Sequence, residues 1–550
     1  MAVFCNPLNI NYRYQFNRDP LTGDISVYRE GADPSMILYE GRYYVFASMT
    51  LGVWVSDDLA RWAYHRLPDD LPLYDYAPDA RVIDGWVVIC ASSRDRVCDY
   101  YRTKDVLHGP YERVAGSFPF WDPNLFQDDD GRVYFYWGCS NETPIYGVEV
   151  DPKTLRPIGE RKELIFGDPA VKGFERIPGS DPSVRKPYVE GAWMDKYEGH
   201  YYLQYAVPGT EFSIYADGVY ESDSPLGPFR LARSNPYSLK SGGFMPGAGH
   251  GSTMWDADGK LWHMSTMRIS MQHMFERRIG LWRAGFDRDG VLFCNQRYGD
   301  WPMRSETKDP WAKPEWFLLS YRKAVSASSH TPGHAPALVA DEDVRTWWQA
   351  AGTDEKEWLC LDLGEACAVH AVQINFADDV IDLPVPGPIR NNERYIDDAP
   401  LFTRWLLEGS ADGETFVTLA DKREADTDLS HDLVVMEEGK RLRYLRLSHM
   451  SVPYGQRPCV SGLRVFGLGN GQPPKKSVFR VERKGALDLE VTMHADGALG
   501  YNVLWGESPE KLYHSAICFE EKLTVGALVR GREYFVRVDA FNENGITEGS

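Results

Sequence analysis

One short pattern recurs five times in the first three hundred residues, and it limits the possible folds more than any other feature. An apolar strand runs into an acidic turn ending in glycine, and an aromatic strand follows. The pattern reads MILYEGRYYVFAS from Met36, ARVIDGWVVICAS from Ala80 and LFQDDDGRVYFYWG from Leu125. It returns as WMDKYEGHYYLQYA from Trp193 and TMWDADGKLWHMST from Thr253, so the turn glycines are Gly41, Gly85, Gly131, Gly199 and Gly259. Asp-Gly and Glu-Gly between alternating hydrophobic residues are hairpin signals. Two further short strands follow most copies, as in GVWVSDDLARWAYHR and GVYESDSPLGPFRLA. A meander of four strands is a propeller blade, and five of them predict an all-β chain that opens with a five-bladed β-propeller over residues 1–318. The alternative is a β-sandwich whose turns coincide.

The repeat also predicts positions. Asp122, Glu190 and His250 each precede their turn glycine by nine residues, and Asp33 precedes Gly41 by eight. These residues open the innermost strands, which line the central channel, so the four side chains are expected to converge at one mouth. Blade two offers Asp79, out of register at six residues before Gly85. Three carboxylates and a histidine at one point are costly unless the charges are used.

Hydrolysis of a glycosidic bond needs an acid to protonate the leaving oxygen and a second carboxylate acting on the anomeric carbon or its water. A third carboxylate beside the acid keeps it protonated by like-charge repulsion. The formal charge of −20 repels nucleic acid and anionic membranes, so a neutral partner is expected. The aromatic fraction of 13 % suits large β cores and sites that stack on sugar rings.

GADPSM at Asp33, WDPNLFQDDDGRVYF at Asp122, EGAWMDKYEGHYYL at Glu190 and GAGHGS at His250 resemble family 43 glycoside hydrolases. The resemblance implies a five-bladed inverting enzyme that releases arabinofuranosyl, xylosyl or related units from polysaccharide-derived glycans, with galactofuranosyl units a third option. It assigns Asp33 as general base, Glu190 as general acid and Asp122 as the group that sets the acid's pKa and orientation. No cofactor is required; a calcium ion near His250, reached through water, is the one metal the resemblance allows, since a lone imidazole is a poor calcium ligand. An arginine of the last blade is expected on the sugar: strand alternation favours Arg277 over its neighbour Arg278. Trp121 and Trp193, next to the acids, are candidate walls of the sugar pocket, with burial in the core as the competing role. Asp181 repeats the DPS tripeptide of Asp33 but precedes no hairpin and reads as loop. The stretch from about Asp151 to Val189 exceeds a normal blade connection and is expected to close one end of the cleft. The competing function is a carbohydrate-binding propeller without turnover.

From about residue 319 the texture changes. ADEDVRTWW, EWLCLDLG, SADGETF, RYLRL and VFG resemble a discoidin (factor 5/8 type C) domain, a β-sandwich over 319–470. The resemblance implies a calcium site at Asp341 and Asp343 with a late glutamate, but Ser461 and Gly462 stand where that glutamate belongs. The insert LPVPGPIRNNERYIDDAP is expected to pack on the propeller. After the linker GNGQPPKKS, residues 471–550 resemble a fibronectin type III sandwich. Nine cysteines without CxxC or zinc-like spacing, and an N-terminus without a leader pattern, read as a cytoplasmic chain with reduced thiols; a trimmed leader is the alternative, which makes it secreted.

Overall fold

Each repeated hairpin opens a four-stranded antiparallel meander in the computed structural model, which describes residues 2–93, 96–181, 185–390 and 393–550. The five innermost strands are Ser35–Tyr39, Tyr76–Ile83, Asn124–Gln127, Glu190–Tyr197 and Gly249–Trp255. In every blade they are followed in sequence order by three more strands, ending with Ala63–Arg66, Glu112–Val114, Pro157–Ile165, Arg230–Leu231 and Leu292–Asn295. The expected propeller is present. Pro157–Ile165 corrects the expected long loop from Asp151 to Val189, since its first part is the outer strand of blade three.

The blades are tied into a ring near the axis by side chains that bond across each boundary. The Met36 amide donates to Ser252 Oγ at 3.0 Å, and the Ala80 amide to Ser35 Oγ at 2.9 Å. Asp79 accepts from the Leu125 amide at 2.7 Å and from Asn124 Nδ2 at 3.1 Å. Asn124 Oδ1 in turn accepts from the Met194 amide at 2.9 Å, and Gln204 Nε2 donates to Thr253 Oγ1 at 2.9 Å. Asp79 thus joins blades two and three and has no place at the channel mouth. Its carboxyl is pushed up to about 6 by burial, against the pull of Arg81 and its two hydrogen bonds.

The backbone at the mouth follows one rule. Asp33, Ala77, Asp122, Gly191 and His250 all have positive φ, between 46° and 59°, one at the head of each innermost strand. Blades two, four and five also carry register shifts just beyond this point, between Tyr76 and Asp79, Glu190 and Trp193, and Gly249 and Ser252. Left-handed conformation costs a non-glycine residue roughly 1–2 kcal/mol, and such strain gathers where side chains must be aimed.

Beyond the blades, Phe317–Leu318 already pairs with Phe466–Gly467 in an eight-stranded sheet. Two very long strands, Trp358–Phe376 and His431–Ser451, run through that sheet and are bent by register shifts, so the sheet folds over its own core around Trp348, Trp405 and Leu447. The last unit is a sandwich of a three-stranded sheet (Val478–Arg483, Leu489–His494, Lys522–Val525) on a four-stranded one (His514–Cys518, Gly500–Gly506, Phe535–Asn542, Gly545–Thr547). Trp301, Phe466 and Phe541 bring the three units together in one apolar cluster, with Trp301 edge-on to Phe541 at 5.2 Å. The segment after Pro157–Ile165 packs on the last unit through Gly173 N, which donates to Leu528 O at 2.8 Å, and the Arg176–Asp488 ion pair. The expected insert does reach the propeller: Arg394–Ile396 extends the sheet of Arg13–Arg18 and Ile25–Glu30. All nine cysteines are free thiols.

Candidate active site

Asp33, Asp122, Glu190 and His250, drawn from four blades, meet at one mouth of the channel. His250 is the hub: its Nδ1 lies 3.4 Å from Asp33 Oδ1 and 3.7 Å from Asp122 Oδ2. Its backbone N–H donates to Asp217 Oδ1 at 2.7 Å, and Asp217 is itself met by His263 Nε2 at 3.1 Å. Burial opposes a charge on the imidazole, yet the surrounding Asp33, Asp122 and Glu190 carboxylates prevail and raise its pKa.

Each acid has a different environment. Asp33 accepts from Ser48 Oγ at 2.6 Å and from Arg277 Nη1 at 3.0 Å. Burial works against its charge, but Arg277, His250 and the Ser48 hydroxyl outweigh it and hold the carboxyl below its ordinary value. Asp122 accepts from the Gly191 amide at 3.2 Å, and burial, with Asp33 adding, raises it against the pull of His250. Glu190 accepts from Tyr215 Oη at 2.7 Å on one oxygen and from Cys139 Sγ at 3.2 Å on the other. Burial first, and then the negative charge of Asp122, push it up to about 7. Carboxyls driven apart in this way divide into a base that stays ionised and an acid that keeps its proton near neutrality.

Strand alternation sends Arg277 to Asp33 and Glu30, whereas Arg278 points the other way and donates Nε to His431 Nε2 at 2.9 Å. Trp121 is half-buried beside the cluster, tilted against Tyr76 with ring centres 6.3 Å apart. Trp193 is not brought there: it is 3 % exposed and carries Arg81 over its ring at 3.5 Å. The register shift after Glu190 turns it into the interior, correcting the expectation that it walls the sugar pocket. Asp181 lies in exposed loop, as read from the sequence.

The repeat held a signal for residues that the sequence reading missed. Ser48 and Ser92 close two copies of the repeated pattern with the same Ala-Ser, and both work at the mouth: Ser92 Oγ accepts from the Asp122 amide at 2.8 Å. Glu30, Cys139 and Tyr215 lie outside the repeat and carried no such mark.

The donor atoms fit calcium poorly. Asp122, Cys139 and Glu190 each bring one ligand atom within 4.8 Å of the others. The third donor, however, is the Cys139 thiol, and a hard cation such as calcium takes oxygen ligands rather than sulfur. Calcium wants six to eight oxygens, while the carboxylates nearest His250 are those already engaged by Arg277, Ser48 and the Gly191 amide.

Gly191 is the tightest point. A Cβ there would lie 2.7 Å from the His250 ring, at a φ of +59°. Gly191→Ala should therefore displace the imidazole and lower kcat by roughly tenfold or more, since small misplacements at a reacting centre are costly. A steady-state assay beside a melting curve checks this: kcat should fall much further than the modest loss of stability.

Comparison with known proteins gives consistent relatives. The profile of the glycosyl hydrolases family 43 matches residues 27–292. A beta-xylosidase of Xylanibacter ruminicola is 27 % identical over 260 residues, covering 36 % of this chain and 77 % of that protein. A xylosidase/arabinosidase 43A of Humicola insolens is 30 % identical over 260 residues, covering 36 % and 77 %. A beta-D-galactofuranosidase of Aspergillus niger is 23 % identical over 269 residues, covering 42 % and 71 %.

Proposed function

From the premise that this chain belongs to the glycosyl hydrolases of family 43, we propose that it is an inverting, exo-acting glycosidase that removes pentosyl or furanosyl units from the non-reducing ends of glycan side chains. Asp33 is the general base that takes a proton from the attacking water. Glu190 is the general acid that protonates the leaving oxygen, and Asp122 keeps it protonated. The observation that carries the reading is the opposite displacement of two carboxyls within one cluster: Asp33 is held down by Arg277 and His250, and Glu190 is raised to about 7 by burial and Asp122. Trp121 and Tyr76 supply the apolar wall on which a sugar ring stacks.

The relatives' names favour β-xyloside and α-arabinofuranoside substrates, with β-galactofuranoside as the third. A panel of the three aryl glycosides, with the anomer of the first product followed by proton NMR, tests both points. One sugar should dominate, and the product should carry the anomeric configuration opposite to the substrate. Retention sinks the assignment of Asp33 as base.

The second unit reads as discoidin-like and the third as fibronectin type III-like. The three-plus-four strand arrangement of the third supports this. At the acidic loop of the second, Glu342 pairs with Arg464 at 2.8 Å and Asp343 with Arg345, so arginines stand in place of a cation.

A further inference from the structure

Two dipeptides connect the catalytic cluster to the rest of the chain. Neighbours on a strand face opposite ways, and in Ile25–Glu30 and Arg277–Phe286 this separates Glu30 and Arg277 from Arg29 and Arg278. The outward pair binds the second unit: Arg29 meets Asp378 at 2.5 Å and Asp428 at 3.0 Å, and Arg278 meets His431. On the inward side, Arg277 spans Glu30 Oε1 and Asp33 Oδ1. The other oxygen of Glu30 is taken by Arg394, from the strand that the second unit lays against Arg13–Arg18.

Arg394 is 1 % exposed, with its guanidinium 4.9 Å from the Tyr76 ring centre and 5.0 Å from that of Phe275. Its Nε and Nη2 have no hydrogen-bond partner among the described residues. A buried guanidinium is costly unless its charge is paired, and the paired charge here is Glu30.

We infer that Arg394 is a positioning residue of the hydrolytic site: by sharing Glu30 with Arg277 it keeps the Arg277 guanidinium on Asp33, so the second unit completes a centre whose three acids all lie on the propeller. This rests on reading Asp33 as the base. Carboxylates favour two-pronged pairing with a single guanidinium. Without Arg394, both oxygens of Glu30 compete for Arg277, which turns away from Asp33. Asp33 is faced by the cations Arg277 and His250, by Asp122, by the Cys139 thiol and by the Tyr76 and Tyr215 phenols. Arg394 is faced by Glu30, Arg277, Tyr28, Tyr76 and His273. His273 is brought down to about 4 by burial and then by Arg394; burial, the larger cause, still opposes a replacement charge on it once Arg394 is removed.

The test uses the full-length chain and the pH dependence of kcat and KM on an aryl glycoside that the wild type hydrolyses. Arg394→Met should lower kcat by about tenfold or more with little change in KM, and should move the acid limb up by roughly one pH unit as Asp33 loses its cation. Glu30→Gln removes the competitor for Arg277 and should move that limb down. Ile396→Ala, two residues along and packed on Met49 and Leu51, loosens the same strand and should leave the limb in place. An unmoved limb in Arg394→Met, or an equal shift in Ile396→Ala, overturns the inference. If Arg394→Met does not fold, an unmoved or raised limb in Glu30→Gln does the same. Asp33→Asn is run in parallel: an active Asp33→Asn removes the reading of the site itself, while an inactive one beside a wild-type-like Arg394→Met removes only the role of Arg394.

Discussion

Asp33→Asn should lose roughly 10³–10⁴-fold in kcat, the scale of a positioned general base, while sugar binding stays measurable by calorimetry. Asn preserves the shape: its Oδ1 can still accept from Arg277, while its Nδ2 takes the place of the oxygen that accepts from Ser48, whose hydroxyl can turn to accept instead. What it cannot do is accept a proton from water. The wild-type rate should rise with pH through the Asp33 pKa, which lies below the ordinary carboxylate range because Arg277 and His250 outweigh burial. A variant that turns over at wild-type rate would show that another group activates the water.

Glu190→Gln should separate substrates by leaving group. Toward natural linkages and poor leaving groups, loss of the acid should cost roughly 10²–10⁴-fold. Toward dinitrophenyl glycosides, whose leaving oxygen needs no proton, most of the rate should survive. The pH profile adds a second readout with a definite sign. Glu190 acts as its protonated form, and burial and Asp122 place its pKa at about 7, so the wild-type rate should fall as pH rises through that value. In Glu190→Gln the basic limb should vanish. Equal losses on both substrate classes would mean that Glu190 is not the proton donor.

The turn glycines carried the blade count, because a hairpin with an acidic turn is a local event that needs only neighbouring residues. They also carried the acids to within one position. Counting nine residues back from Gly199 finds Glu190, although the backbone equivalent of Asp33 and Asp122 in that blade is Gly191. The register shift that follows was invisible in the sequence, and it turned Trp193 away from the pocket. Arg277 followed from alternation along a strand. Glu30 and Arg394 did not, for each owes its role to partners some 250 to 360 residues distant, and one of those partners sits in another unit. The stretch after Asp151 misled for a local reason: strand Pro157–Ile165 is largely exposed and polar, so it lacks the apolar alternation that announces a strand.

The recurring left-handed residue at the head of each innermost strand makes the rim a set of five equivalent sockets on a frame that does not depend on what they hold. Aspartate fills two, histidine and glycine one each, and alanine the last, at Ala77. Because the frame is closed by bonds deeper in the channel, such as Ser35 to Ala80 and Asn124 to Met194, a change of tenant alters the chemistry without reshaping the blades. The scaffold is therefore open to new specificities by single exchanges at the rim, limited to side chains that tolerate positive φ; Ala77 and Gly191 are the seats holding no functional group, and Gly191 is closed to exchange because a Cβ there would meet the His250 ring.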